Sequence, residues 1–154
     1  WIVNVASMAG MGGVPYGGAY SATKAAVVAL SEGWAGELQS KAINVSVLCP
    51  AFVQTRIYNS ERNRPAQYQS DTKVMADENS FFNRAKTMVE NGIEVSIVGK
   101  RVVEALNNGE FYIFTHPNYR EVLQMRSSEI DAAFKKASES PLLQHIVNQK
   151  IEML

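Results

Sequence analysis

Ser7, Tyr20 and Lys24 are the side chains whose types and spacing could do chemistry, the last two within Tyr20-Ser21-Ala22-Thr23-Lys24. A lysine four residues after a tyrosine lies on the same helix face, one turn along. A tyrosine hydroxyl ordinarily titrates at about 10 and is a poor base at neutral pH. A nearby ammonium favours the phenolate. A serine hydroxyl beside the pair can hold a substrate oxygen while the phenol gives or takes the proton. Together the three would make a proton-transfer device for a carbonyl or an alcohol. A Tyr/Lys pair is also an ordinary helix-surface pairing, and serine an ordinary turn residue. The elements that carry them therefore decide the reading.

Trp1 to Ala6 is short, apolar and β-branched, which predicts a buried strand ending at Ser7. Residues 8–18 are glycine-rich and contain Pro15, which predicts a loop. Ala19 to Ser40 favours helix, with Tyr20, Lys24, Val27, Val28, Ser31, Ala35 and Leu38 along one face. Ile43 to Cys49 is a second expected strand, stopped by Pro50. Strand, helix, strand at this spacing is a parallel crossover unit. Residues 56–78 read as a long polar loop. Asn79 or Ser80 is expected to cap a helix to about Asn91, with Gly92 as its stop. Further helices are expected from Val95 to Leu106, from an Asn118 cap to Ala137, and after Pro141. The third expected strand runs from Glu110 to Thr115. The fold class is therefore α/β with a parallel sheet, and helices follow the last strand.

Net charge is zero, with 15 basic and 15 acidic residues and no basic patch, which argues against a nucleic-acid or membrane-surface partner. The apolar run Ala25 to Leu30 is too short to span a bilayer, and no basic segment precedes Trp1 as in a signal peptide. The single cysteine, Cys49, excludes an internal disulfide, sits in an apolar run as an inert core residue would, and fits a reducing, cytoplasmic compartment. His116 and His145 have no partners at metal-ligand spacing, so no metal site is expected. Met8, Met11, Met75, Phe81, Phe82 and Met88 are either plain core or an apolar pocket, and Tyr16 either lines a substrate site or packs in its loop. Arg56, Arg62 and Arg64 could meet a phosphate or an acidic substrate, or form a solvated loop face.

With these elements in place, the chain resembles the short-chain dehydrogenase/reductase family in its short single-domain branch. The resemblance rests on Asn4-Val5-Ala6-Ser7 followed by Ala9-Gly10, on the Ser7 to Tyr20 spacing, on Tyr20-Ser21-Ala22-Thr23-Lys24, and on Cys49-Pro50-Ala51-Phe52-Val53-Gln54-Thr55, with Ala51 where glycine is usual. Tyr-x-x-x-Lys alone is weak, but each piece falls in the structural context that its role needs. The resemblance implies a Rossmann-like fold, NAD or NADP as cofactor, and a small alcohol or ketone as substrate. It implies Tyr20 as general acid and base. Lys24 would favour the phenolate and bind the nicotinamide ribose, and Ser7 would orient the substrate oxygen. Pro50, Val53 and Thr55 would lie over the nicotinamide, with Val53 offering backbone groups to its carboxamide. Met8 and Tyr16 join Ser7 as candidate substrate contacts.

The family's glycine-rich pyrophosphate turn, its NAD-or-NADP selector and its catalytic asparagine lie in a first half that these residues do not match. Gly10, Gly12 and Gly13 follow the serine and belong to the loop instead. Residues 1–154 are thus expected to be the catalytic half of one domain, with the nucleotide-binding half in a preceding segment. The absence of an initiator methionine reads as a fragment or a processed product. An inactive fragment or interaction subunit is the alternative function, and an epimerase or dehydratase of the sugar-nucleotide branch a third. The C-terminal part lacks the family's common Val-Asp-Gly-Gly ending. A homodimer through the helix carrying Tyr20 is therefore expected in preference to a tetramer across the last strand. Arg62-Asn63-Arg64-Pro65-Ala66 together with this tail resembles bacterial dehydrogenases acting on benzylic alcohols of lignin-derived aryl ethers. The apolar candidates around the site point the same way, to a hydrophobic or aromatic substrate.

Overall fold

Three parallel strands form one sheet in the order β1 (Ile2–Val5), β2 (Val45–Cys49), β3 (Tyr112–Phe114). The computed structural model describes residues 1–68 and 81–152. The expected caps Asn79 and Ser80 and the pocket candidate Met75 lie outside the described residues. Val5 stands opposite Leu48, and Cys49 opposite Phe114. Every residue of β2 is buried, which explains its continuous Val-Ser-Val-Leu-Cys run: a central parallel strand is covered on both faces. The one polar member, Ser46, donates its hydroxyl to the Glu110 carbonyl at 2.8 Å and accepts the Trp1 indole N–H at 3.1 Å.

The two faces are covered by different helices. The first helix of note, α1 (Met8–Met11), is a single turn, and the long α2 (Gly18–Gln39) follows it. Asn4 of β1 points to α2, where its amide donates to Ser31 Oγ at 3.0 Å. Val3, its neighbour, points the other way, as alternation along a strand requires. There it joins Leu48, Ala105 and Ile113, with Val98, Val102 and Leu106 packed around them. These last residues belong to α4 (Val95–Asn107), which follows α3 (Phe81–Glu90). Fully burying one Leu or Ile side chain contributes about 1.5–3 kcal/mol, so this small cluster is a principal anchor of α4.

The connection from α4 to β3 is set by Gly109. It holds a left-handed φ of 68°, and the Gly109 and Glu110 N–H groups close back onto Leu106 O at 3.1 Å and Ala105 O at 2.9 Å. That is a Schellman ending, and glycine adopts it without a Cβ penalty. Arg101 then clasps both ends of β3. Its guanidinium pairs with the Glu110 carboxylate, and its Nε donates to Phe114 O at 3.2 Å.

Several expectations are revised. The glycine-rich stretch 8–18 is not all loop, because Ser7 caps a turn of helix at Met8–Met11. The polar stretch after 56 contains 3-10 turns at Ile57–Asn63 and Ala66–Tyr68. Pro117–Tyr119 is a 3-10 turn that enters α5 (Arg120–Ser138), so Tyr119 rather than Asn118 holds the cap position. Proline's fixed φ suits the first position of a helical turn. After Pro141, among the described residues, the helical element is the 3-10 turn Pro141–Leu143. The chain divides into two compact units, Trp1–His116 and Pro117–Leu154. Within the second, Val122, Ile130 and Phe134 of α5 stay exposed. Among the described residues no helix is long and apolar enough to cross a membrane.

The hydrogen bond from Arg101 holds the Glu110 carboxyl below the ordinary 4.5. A carboxyl depressed in the folded state contributes stability above its unfolded value and loses it as pH falls through the depressed value. Glu110→Gln is therefore expected to lower Tm at pH 7, and the gap to wild type should close as pH falls below about 4. Thermal unfolding followed by circular dichroism across that range checks this, and a gap independent of pH would count against the clasp.

Candidate active site

Ser7 is placed by the ladder that continues past the strand ends. The Ala6 N–H donates to Leu48 O at 2.8 Å and the Met8 N–H to Pro50 O at 2.8 Å. Ser7 between them has extended backbone, caps α1 by accepting the Ala9 N–H at 3.1 Å, and donates its hydroxyl to Pro50 O in a long contact of 3.4 Å. A residue bearing a short oxygen side chain suits that cap.

Tyr20 and Lys24 sit one turn apart on α2. Lys24 Nζ donates to Val5 O at 3.1 Å, which ties α2 to the end of β1, and it lies 5.8 Å from the centroid of the Tyr20 ring. What lets α1 and α2 approach is Gly10. A Cβ there would stand 2.7 Å from the Lys24 carbonyl carbon and oxygen. In the sequence Gly10 stands in the glycine-rich stretch and in the serine motif of the family resemblance; its packing role depends on contact with a segment remote in sequence.

The segment after β2 is held from a third direction. Val53 and Ile93 form an isolated parallel bridge, in which Ile93 N–H donates to Phe52 O at 3.1 Å and Gln54 N–H to Ile93 O at 2.9 Å. In this pattern the N–H and C=O of Val53 itself face away from Ile93. Gly92 permits the approach, since a Cβ there would lie 2.4 Å from Phe52 O. The reading of Gly92 as a helix stop captured one of its two roles.

Ser7, Tyr20, Lys24, Pro50, Val53 and Thr55 all line one cleft of about 270 Å³ at the carboxyl ends of β1 and β2. In parallel sheets this is the end where ligands bind. Its apolar wall comes from Leu48, Ile57, Val89, Val95 and Val98. The methionines and phenylalanines named as pocket candidates do not line it among the described residues. Val89, Val95 and Val98 were legible only as helix positions, because which way α3 and α4 face is settled by packing. Met8 is buried at the start of α1 and does not line the cleft. Tyr16, at a left-handed φ of 60°, is 93% exposed and rests its ring against Phe81 instead. A second, shallower concavity of about 360 Å³ adjoins at Thr55 and is lined by Gln54, Arg56, Tyr58 and Glu90. Ser7, Tyr20 and Lys24 line the first cleft and not this one. Cys49 is buried, and that burial pushes its thiol up to about 11, which makes it a core residue and not a nucleophile.

The strands are parallel, a serine follows the first of them, and a tyrosine-lysine turn lies on the crossover helix, an arrangement that can be compared with known α/β proteins. Residues 1–66 match the family model described as short chain dehydrogenase. The CLA biosynthesis dehydrogenase/reductase of Lactiplantibacillus plantarum is 37% identical over 134 residues, covering 84% of this chain and 47% of that protein. The C alpha-dehydrogenase of Sphingobium sp. (strain NBRC 103272 / SYK-6) is 32% identical over 123 residues, covering 80% of this chain and 40% of that protein. The crystal structure of a short chain dehydrogenase/reductase from Burkholderia phymatum in complex with NAD superposes with a TM-score of 0.77 at 30% identity, over 99% of this chain and 51% of that one. The chain belongs to the short-chain dehydrogenase/reductase family. It spans about half the length of the curated relatives it matches.

Alanine at either close-approach glycine must push backbone away from backbone. Gly10→Ala is expected to cost about 1–3 kcal/mol of stability, the usual range for overpacking. Gly92→Ala should cost more, because its clash is the shorter one. Urea unfolding of the two variants checks both the size and the order.

Proposed function

We propose that the protein is a nicotinamide-dependent oxidoreductase interconverting an alcohol and a ketone, with residues 1–154 forming the catalytic half of a Rossmann-like domain. The observation that carries this reading is that Ser7, Tyr20 and Lys24, from β1's end and α2, face one cleft with the Pro50 to Thr55 segment. The residues present fit a nicotinamide. The Val53 backbone groups are turned away from Ile93, the Thr55 side chain lines the same cleft, and Lys24 engages one of an ammonium's three donors on Val5 O. NAD is the cofactor in the Burkholderia phymatum structure, and family membership supports NAD or NADP here. When bound, such a cofactor supplies or accepts the hydride.

The chain's own residues then handle the oxygen and its proton. Ser7 turns its hydroxyl from Pro50 O to the substrate oxygen and holds it. In the direction of reduction Tyr20 donates its phenolic proton to that oxygen; in oxidation it takes the proton back. Lys24, fixed to the strand end, keeps positive charge beside the phenol and stabilises the phenolate left after donation. The wall of Leu48, Ile57, Val89, Val95 and Val98 excludes water and favours a hydrophobic or aromatic alcohol or ketone. The C alpha-dehydrogenase among the relatives is in line with a bulky alcohol. We place a homodimer interface on α2, whose outer face exposes Leu30 among alanines.

In the full-length protein, Tyr20→Phe is expected to lower kcat/KM by about 10²- to 10⁴-fold while cofactor affinity is kept. Steady-state kinetics with an aryl ketone panel, beside fluorescence titration of NADH and NADPH, make the test. Wild-type turnover by the variant would remove Tyr20 from the mechanism.

A further inference from the structure

The peptide group joining Pro50 to Ala51 is gripped at both ends by residues that follow the two outer strands. Its C=O accepts the Met8 N–H at 2.8 Å and the Ser7 hydroxyl at 3.4 Å. Its N–H donates to His116 Nδ1 at 3.4 Å, and Thr115 Oγ1 lies 2.7 Å from the same ring nitrogen. Accepting the Ala51 N–H requires Nδ1 to be bare, with the ring proton on Nε2. The register produces this meeting. Cys49 pairs with Phe114, so His116 emerges beside the residues following β2, while Ser7 emerges on their other side. His116 and Ser7 thus act on one planar unit across the central strand. Because the peptide is planar, tilting one end tilts the other.

We propose that His116 is a positioning residue for the Ser7 hydroxyl, acting through the Pro50–Ala51 peptide. The inference rests on the functional reading above, in which Ser7 holds the substrate oxygen. A serine hydroxyl has one proton, so Pro50 O and the substrate oxygen compete for it. Where Pro50 O points, and how strongly it accepts, sets that competition. The Met8 N–H anchors the carbonyl but leaves the plane free to rock about that bond. A hydrogen bond at the N–H end stops the rocking and so fixes where Pro50 O stands beside the Ser7 hydroxyl. Without the imidazole acceptor the carbonyl drifts and the serine proton is aimed away from the reacting oxygen. Misplacements of about 1 Å can cost roughly 10²-fold in rate.

The test uses the full-length protein with His116→Phe, which keeps a ring but no acceptor, and His116→Asn, whose amide oxygen can accept the Ala51 N–H. Expected for H116F is a fall in kcat of about 10- to 100-fold with cofactor KM little changed, and partial recovery of kcat in H116N. A second readout needs no turnover. Amide hydrogen exchange of Ala51, followed by NMR without cofactor, should quicken in H116F and slow again in H116N. If H116F does not fold, His116→Ala carries the same readouts. Wild-type kcat in H116F, or Ala51 exchange unaltered by it, overturns the inference while leaving the functional reading intact. A wild-type enzyme with no nicotinamide-dependent turnover overturns that reading and this role together.

Discussion

Val5 stands opposite Leu48, and Cys49 opposite Phe114, in a ladder whose strands all run the same way. Parallel strands end on one side of the sheet, so the residues that follow each of them are brought to a common rim. Ser7 follows β1, Pro50 and Ala51 follow β2, and His116 follows β3. Their hydrogen bonds continue the ladder beyond the strands themselves. The Tyr20 and Lys24 turn reaches that rim because α2 must cross one face to connect β1 with β2. The Lys24 ammonium then fastens the helix to Val5 O. Shift the register by one residue and every one of these partners would point to the opposite face.

The cleft is walled by backbone brought against backbone. Gly10 lies against Lys24 and Gly92 against Phe52, each too close for a Cβ. The first approach sets the distance between Ser7's turn and the helix of Tyr20. The second, with the Val53–Ile93 bridge, holds the segment after Pro50 with the Val53 N–H and C=O turned away from Ile93. Charge is arranged with equal economy. Tyr112 donates to the Glu32 carboxylate, and that hydrogen bond is the main cause pushing its phenol up to about 12. A phenol so held keeps its proton. Tyr20 has a lysine as its charged neighbour instead. The two tyrosines, one on β3 and one on α2, thus have charged neighbours of opposite sign.

Polar groups inside the sheet's cover are all engaged. Ser31 donates to Val27 O at 2.6 Å while accepting from Asn4, and Ser21 accepts the Val14 N–H at 3.2 Å. Among the described residues no buried side-chain nitrogen or oxygen lacks a partner. The helical period placed Ser31 on the inner face of α2, but the partners of Ser31 and Ser21 come from packing. Ser21, next to Tyr20, is the buried member of that turn, and its bond to Val14 fixes the chain entering α2.

The local order of elements was legible in the amino-acid sequence, because strand, helix and stop signals act within a few residues: the apolar runs of β1 and β2, the helix-favouring run of α2, and Pro50 as the stop of β2. The tyrosine and lysine spacing was legible for the same reason, since one helical turn is local geometry. Met8 and Tyr16 show where that reasoning stops. Their types suited a substrate site, yet a one-turn helix buries the first and a left-handed backbone turns the second outward. His116 shows the converse, a residue considered in the sequence as a metal ligand without partners, which the sheet brings to the peptide beside Ser7. Spacing along a helix is written in the chain. Proximity across strands, the close approach at Gly10 and Gly92, and the valine wall arise only when remote segments pack, and so belong to the tertiary structure.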